Sequence, residues 1–453
     1  MTRVLFSNPP WWVTHRPLEI MPAERIGLRR AGVRAGSRWP FTSSWQSTPD
    51  DFHFGDYLPY PFFMGYAATY ARQAAGVEVV LRDSIALKES YESYFRFLDD
   101  GRFDLIVIES ATPSWEHDSR LIGRIAERHP RMKIVVAGPI ASLGSAILRE
   151  HPVHAVVKGE YEKGVVRVLG GESGVIAHDL LTREEMNAAP YPYFDAATAH
   201  RYYDAMKGTL FPQAHVWSSR GCPYKCIFCV WPATMTGNDP DGEGTRKVRQ
   251  YSPGYVDGLV RELIGKYGYE SVYFDDDTFN LGTRHTEEIS KVMGRIGIPW
   301  AAMCRADTVR METWQVMRDN GCYGVKLGFE SGSQYVVDTI VNKHLDLEYA
   351  RTVVAELKRL GISVHGTFTF GLPGETREQQ METRRYIDSL DLDTHQESGC
   401  AEIEGTPLHT LSQEGALAKY SGAAIDDGYD HDADGKAKWR RLAEEMRQGG
   451  TWG

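Results

Sequence analysis

Ser219-Arg220-Gly221-Cys222-Pro223-Tyr224-Lys225-Cys226-Ile227-Phe228-Cys229 holds three of the chain's six cysteines within eight residues. The other three, Cys304, Cys322 and Cys400, are scattered and read as ordinary apolar residues. The opening Met1–Pro10 has too short an apolar run for a signal peptide, so a cytoplasmic protein with reduced thiols is expected. A local thiol cluster then reads as a metal or cofactor site. Structural zinc wants four closed ligands, and no histidine stands near this triad to complete the set; a knuckle closed by a distant ligand is the alternative. An iron–sulfur cube can be held by three thiolates with one iron left open.

The cysteine run follows the strand-like Ala214–Ser219, and from there strands and helices alternate. Strands are expected at Ser271–Asp275, Trp300–Cys304, Gly324–Phe329, Ser363–Phe370 and from Thr394 toward Ile403. Helices fit Val256–Tyr267, Thr286–Ile296, Met311–Asn320, Ala350–Leu360 and Gln379–Leu390. Six strands with crossover helices predict a partial (β/α)6 barrel, whose chemistry lies at the carboxyl ends of its strands. Ahead of it, Arg3–Phe6, Val77–Leu81, Asp104–Glu109, Lys133–Ala137 and His154–Lys158 alternate with amphipathic stretches. That pattern predicts an α/β domain with a doubly wound, Rossmann-like parallel sheet and a ligand beyond the strands' carboxyl ends.

The expected organisation is a first domain over 1–170, a linker over 171–212, the barrel over 213–405 and a short helical extension over 406–453. A long insertion at about 12–60, with Arg25, Arg29, Arg30, Arg34 and Arg38, reads either as a lid or as a solvated basic face. Acidic residues exceed basic ones by ten, which argues against nucleic acid as the main partner and suits a polar, cationic small molecule. No run of about 18 apolar residues is present, so no membrane span is expected.

The cysteine spacing and the aromatic Phe228 before the last cysteine resemble the signature of the radical S-adenosylmethionine (SAM) superfamily. The resemblance implies a 4Fe-4S cluster on Cys222, Cys226 and Cys229, with SAM on the open iron and Phe228 near the adenine. It also implies reductive cleavage of SAM to a 5'-deoxyadenosyl radical that takes a hydrogen from substrate. An external donor such as flavodoxin or ferredoxin would supply the electron. The preceding α/β domain resembles the cobalamin-binding domain of one subfamily, with Ser110, Thr112, Gly138 and Gly159 at the strand ends placed to meet a corrin. The Asp-x-His-x-x-Gly lower-ligand motif is missing, since Asp83-Ser84-Ile85-Ala86-Leu87 has no histidine, and retention of the fold without the cofactor is the alternative.

Further site residues follow from the resemblance. Asp275 and Asp276 stand where the family binds the methionyl amino group, and Asp277 could face a cationic substrate. Gly328-Phe329-Glu330-Ser331 resembles the Gly-x-Glu-Ser segment that contacts SAM's ribose and amino acid portion, and Gly371 the glycine motif beside the adenine. Arg305, Glu402 and Glu404 are substrate candidates, and Asp277, Glu330 and His395 candidate general bases. The leading expectation is cobalamin-dependent C-methylation in natural-product biosynthesis. Its rival is cobalamin-independent radical dehydration of an amino sugar or aminoglycoside intermediate, and a non-enzymatic iron–sulfur sensing module is a third reading.

Overall fold

A computed structural model describes residues 1–13, 28–31, 41–44, 57–87, 89–204, 206–235 and 248–415. Two six-stranded sheets dominate it. The first comprises β1 (Arg3–Asn8), β2 (Glu78–Asp83), β3 (Leu105–Glu109), β4 (Lys133–Ala137), β5 (Ala155–Val157) and β6 (Gly174–Ile176). Its spatial order is β6-β5-β4-β3-β1-β2, and every pairing is parallel. The chain therefore reverses its direction of winding between β1 and β3, and a crevice for ligand is expected at their carboxyl ends. β3 is Leu-Ile-Val-Ile-Glu with all five residues buried, as befits a strand covered on both faces. Helices α1 (Phe62–Ala75), α2 (Tyr91–Gly101), α3 (Thr112–Arg128), α4 (Gly144–Glu150) and α5 (Tyr161–Leu169) supply the cover. The sixth strand, β6, lies past Gly170, in the stretch read as linker; three residues beginning with glycine give too short a periodic signal to be seen.

The second sheet comprises β7 (Gln213–Val216), β8 (Ser271–Phe274), β9 (Trp300–Cys304), β10 (Cys322–Glu330), β11 (Ser363–Phe370) and β12 (Thr394–Gly399), parallel and in chain order. Short helices α6 (Arg183–Ala188) and α7 (Val230–Met235) precede α8 (Pro253–Tyr267), α9 (Thr283–Ile296), α10 (Met311–Asp319), α11 (Leu347–Arg359) and α12 (Arg377–Ser389). A last helix, α13 (Pro407–Gln413), follows β12. Sequential parallel strands with a helix between most of them give the open barrel expected from the sequence.

Alternate residues of β1 face opposite ways. Leu5 joins one core with Tyr94, Leu98 and Ile122, whereas Val4 and Phe6 join a second core that runs on through Phe274, Trp300 and Phe368. The two sheets thus share one apolar core on the side where they meet. Most of the arginine-rich insertion, and the extension from residue 416 on, lie outside the described residues. No helix among the described residues is long and apolar enough to cross a membrane.

Candidate functional site

Directly after β7 the chain turns into the cysteine run at Gly221, whose φ of 90° is a conformation that glycine adopts without strain. None of the three cysteines is in a disulfide, and all three line one cavity of about 270 Å3 between the barrel mouth and the first domain. Phe228, Asp275, Asp276, Asp277, Arg305, Gly328 and Glu330 line it too. Three thiols lining one cavity are a donor set that fits an iron–sulfur cluster, in which each thiolate takes its own iron, although no three His, Cys, Asp or Glu side chains of the described residues are grouped around a single metal position. Burial, reinforced by the Asp277 carboxylate, pushes the Cys222 thiol up to about 11.

The triple aspartate after β8 is wired into this loop. Asp276 is 2 % exposed and accepts from the Ser218 backbone N–H at 3.1 Å, the Ser218 hydroxyl at 2.8 Å and the Ser219 hydroxyl at 2.6 Å. Asp277 accepts from the Gly221 N–H at 3.0 Å, and the Thr278 hydroxyl lies 3.6 Å from Cys222 Sγ. Asp275 turns toward β7, its carboxylate 4.0 Å from His215 Nδ1. The loop is stitched from farther away as well: the Ile227 N–H donates to Val341 O at 3.0 Å, and the Leu408 N–H donates to Ile227 O at 2.8 Å.

Burial pushes Asp276 up to about 7 against the hydrogen bonds from Ser219 and Ser218. His285, 3.2 Å from the Ser218 hydroxyl, is held down at about 4 by burial. For Asp276 the folded chain holds a proton that the unfolded chain lacks, so its contribution is present at low pH and is lost as pH rises through about 7. For His285 the folded chain lacks a proton that the unfolded imidazole carries, so its contribution is present above about 6.5 and is lost as pH falls toward 4. His285→Gln removes the second effect. Relative to the parent, the variant is expected to gain about 2 kcal/mol between about pH 7 and about pH 5 in urea unfolding.

Glu330 ends β10 in the left-handed region at φ 69°, a conformation that costs about 1–3 kcal/mol for a non-glycine residue. Its carboxylate accepts from Lys343 Nζ at 2.6 Å and from the Thr369 hydroxyl at 3.1 Å. A Cβ at Gly328 would lie 2.7 Å from Lys343 Nζ and 2.6 Å from Glu330 Oε1, so glycine there leaves room for the ion pair. Lys343 is buried, and Asn342 and His344 on either side of it also have positive φ, at 60° and 53°. Burial works to lower its pKa and is outweighed by Glu330 and Cys226, so the ammonium is held charged. Arg305 lies 3.8 Å over the Tyr224 ring and donates to Asp307, Lys343 O and His344 O. It braces the cysteine loop from the other side.

The remaining expected site residues lie off the cavity wall. Ser331 bonds Thr383 at 2.9 Å, and the Gly371 N–H donates to Glu375 at 2.9 Å. His395 faces Glu397 at 3.5 Å, Glu402 pairs with His409 at 3.0 Å, and Glu404 accepts from Thr112 of the first domain. Ser110 donates to Asp118 at 2.6 Å, Gly138 packs on Ser110 O, and Gly159 packs against His178 and Met235 O. Lys343, Thr278, Tyr224, Arg220, Glu160 and the aromatic wall of Phe62, Phe63, Trp217 and Trp231 are among the cavity residues that sequence reasoning passed over. For Lys343 a signal existed: Asn342-Lys343-His344 interrupts the apolar run of Val336, Val337, Ile340, Val341 and Leu345.

Residues 218–387 match the family model described as the radical SAM superfamily. An uncharacterized methyltransferase of Pyrococcus horikoshii is 26% identical over 373 residues, 77% of each chain. Cytidylyl-2-hydroxyethylphosphonate methyltransferase of Streptomyces wedmorensis is 25% identical over 257 residues, 54% of this chain and 46% of that one. Among solved structures, the radical SAM methyltransferase TsrM of Kitasatospora setae, with cobalamin and a [4Fe-4S] cluster bound, superposes with a TM-score of 0.63. The match is at 16% identity and covers 81% of this chain and 77% of that one. The cobalamin-dependent radical enzyme OxsB gives 0.60 at 16% identity, covering 81% of this chain and 60% of that one. At that identity the likeness is one of fold: a parallel α/β sheet followed by an open barrel. With the family match falling on that barrel and its cysteine loop, residues 218–387 form a domain of the radical SAM superfamily.

Proposed function

We propose that the chain binds a 4Fe-4S cluster through Cys222, Cys226 and Cys229 and uses it to cleave SAM, taking a hydrogen atom from an unactivated carbon of a polar, cationic small molecule. The observation that carries this reading is the convergence of the three cysteines with the Lys343–Glu330 pair on one cavity at the carboxyl ends of the barrel strands. When bound, the cluster and SAM supply one-electron cleavage of the sulfonium and a carbon radical. The side chains around them hold and shield. Lys343 places a charged ammonium beside Cys226, where it suits SAM's carboxylate, and Glu330 can accept from ribose hydroxyls once the pair loosens. Asp277 and Thr278 fix the Cys222 end of the loop, and Arg305 fixes Tyr224. Phe62, Phe63, Trp217 and Trp231 exclude water from the wall opposite.

The cavity is lined by Glu109, Glu160, Asp275, Asp277 and Glu330 against the three cations Arg220, Arg305 and Lys343, with Asp276, raised to about 7, beside them. That balance supports a cationic substrate. A flavodoxin- or ferredoxin-type donor would supply the electron. Methyl transfer as the outcome is favoured by the names of the relatives. Loss of water from the substrate radical is favoured by the engagement of Ser110 and Thr112 within the protein.

Anaerobic incubation with SAM, reductant and amino-sugar or other natural-product intermediates tests the proposal by mass spectrometry. Formation of 5'-deoxyadenosine is the expected result. A product heavier by a methylene group supports methylation, and one lighter by a water supports dehydration. Absence of 5'-deoxyadenosine from protein with a full cluster would favour the sensing module instead.

A further inference from the structure

We infer that the carboxyl edge of the first sheet holds no corrin, and that this face instead clamps the strand and helix flanking the cysteine loop. The inference concerns the first domain alone and does not depend on SAM cleavage. At the crevice between β1 and β3 the polar side chains bond one another. Ser7 and Tyr94 share a hydrogen bond of 2.7 Å. Ser110 and Ser114 donate to Asp118 at 2.6 and 2.7 Å, and Asp118 meets His117, which meets Tyr91 at 2.9 Å. Asp118 is fully buried, and Trp11 beside the end of β1 is 5 % exposed. Among the described residues, the Ser7, Ser110 and Ser114 hydroxyls at this edge are all engaged within the protein and not turned to a corrin's amide rim.

Along the neighbouring strand ends the barrel itself occupies the face. A Cβ at Gly159 would lie 2.9 Å from Met235 O, the last residue of α7, and 2.5 Å from the His178 ring, whereas one at Gly138 would lie 2.5 Å from Ser110 O of the first domain itself. These glycines admit protein. Helix α7, which starts immediately after Cys229, rests on the turn Pro139–Leu143, and His178 Nε2 lies 3.0 Å from Thr234 O. Farther round, Glu404 takes the Thr112 hydroxyl.

The strongest part of the clamp is ionic. Glu160 and Glu162 sit at the N-terminal end of α5, and both reach Arg220, at 3.2 and 2.7 Å; Arg249 pairs with Glu160. All four side chains are buried, and the Arg220 guanidinium lies 4.5 Å from the Tyr66 ring centre. Arg220 stands two residues before Cys222, so a rigid carboxylate pair of the first domain sets where the cysteine loop begins. Seating a corrin would require these contacts to part.

The test uses the full chain with its cluster reconstituted. It is incubated anaerobically with hydroxocobalamin and desalted, and cobalt and iron are then measured. The expected result is cobalt at the level of a cobalamin-free control, with 5'-deoxyadenosine formation unchanged by added cobalamin. One cobalt retained per chain overturns the inference, whether or not SAM is cleaved. The clamp is read separately in Glu162→Gln. It is expected to shift the electron paramagnetic resonance signal of the reduced cluster and to lose iron on desalting, with recovery in Glu162→Asp. An unshifted signal with full iron in folded Glu162→Gln overturns the clamp, and should that variant not fold, the cobalt measurement on the parent decides.

Discussion

Cys226→Ala is expected to bring 5'-deoxyadenosine formation down to the background of cluster-free protein, a loss on the order of 10³-fold or more for a group on which the whole reaction depends. The physical reason is that three thiolates are the smallest set that holds the cube and leaves one iron open. Two leave it labile, and the fourth cysteine on the cavity wall, Cys304, is buried at the end of β9, outside the loop that presents the other three. Cys222→Ala and Cys229→Ala should behave alike, uncoupled SAM cleavage included. The fold should survive, because the loop is also held through Ile227, Asp277 and Arg305. Iron content, far-ultraviolet circular dichroism and 5'-deoxyadenosine measured on the same preparation check this. Full cleavage in any of the three variants would sink the assignment of the triad.

The second large effect is expected at Lys343. Lys343→Met leaves the Glu330 carboxylate, 13% exposed, with Thr369 as its remaining hydrogen-bond partner, and since truncation of one member of a fully buried ion pair typically costs about 3–5 kcal/mol, a loss toward the lower end of that range is expected. Denaturant unfolding should show that loss. If the ammonium also receives SAM, affinity falls on top of it, by about 30-fold or more for the ~2–5 kcal/mol typical of such a truncated pair across an interface. Lys343→Arg keeps the charge and should recover stability better than affinity, because a planar guanidinium does not replace a compact ammonium at Glu330. Equal SAM affinity in parent and Lys343→Met would remove Lys343 from the proposed site while leaving its structural role intact.

Much of this architecture can be read from local pattern. Lys133–Ala137, Trp300–Cys304 and Ser363–Phe370 are strands with the expected bounds, because their apolar runs are bounded by proline or glycine at one end or both. The cysteine loop was legible for another reason: its meaning lies in spacing along the chain. What the sequence does not carry is which side chains meet across the fold. Asp275, Asp276 and Asp277 are chemically identical neighbours, yet one turns to β7, one is enclosed by serine hydroxyls and one takes a loop N–H. Glu402 and Glu404 look like a paired acidic face until His409 and Thr112 are seen to engage them separately. Lys343 acquires its meaning only from Glu330, thirteen residues earlier, and from the left-handed backbone on both sides of it.

The two backbone bonds at Ile227 bear on how the protein is made. Both backbone polar groups of this one residue find their partners late in translation, at Val341 and at Leu408. A ribosome that has just released the cysteines therefore exposes a slack thiol loop for the whole time needed to synthesise the rest of the barrel. Loading of iron belongs after synthesis, and a truncated chain lacking Leu408 should take up metal readily and surrender it to a chelator just as readily.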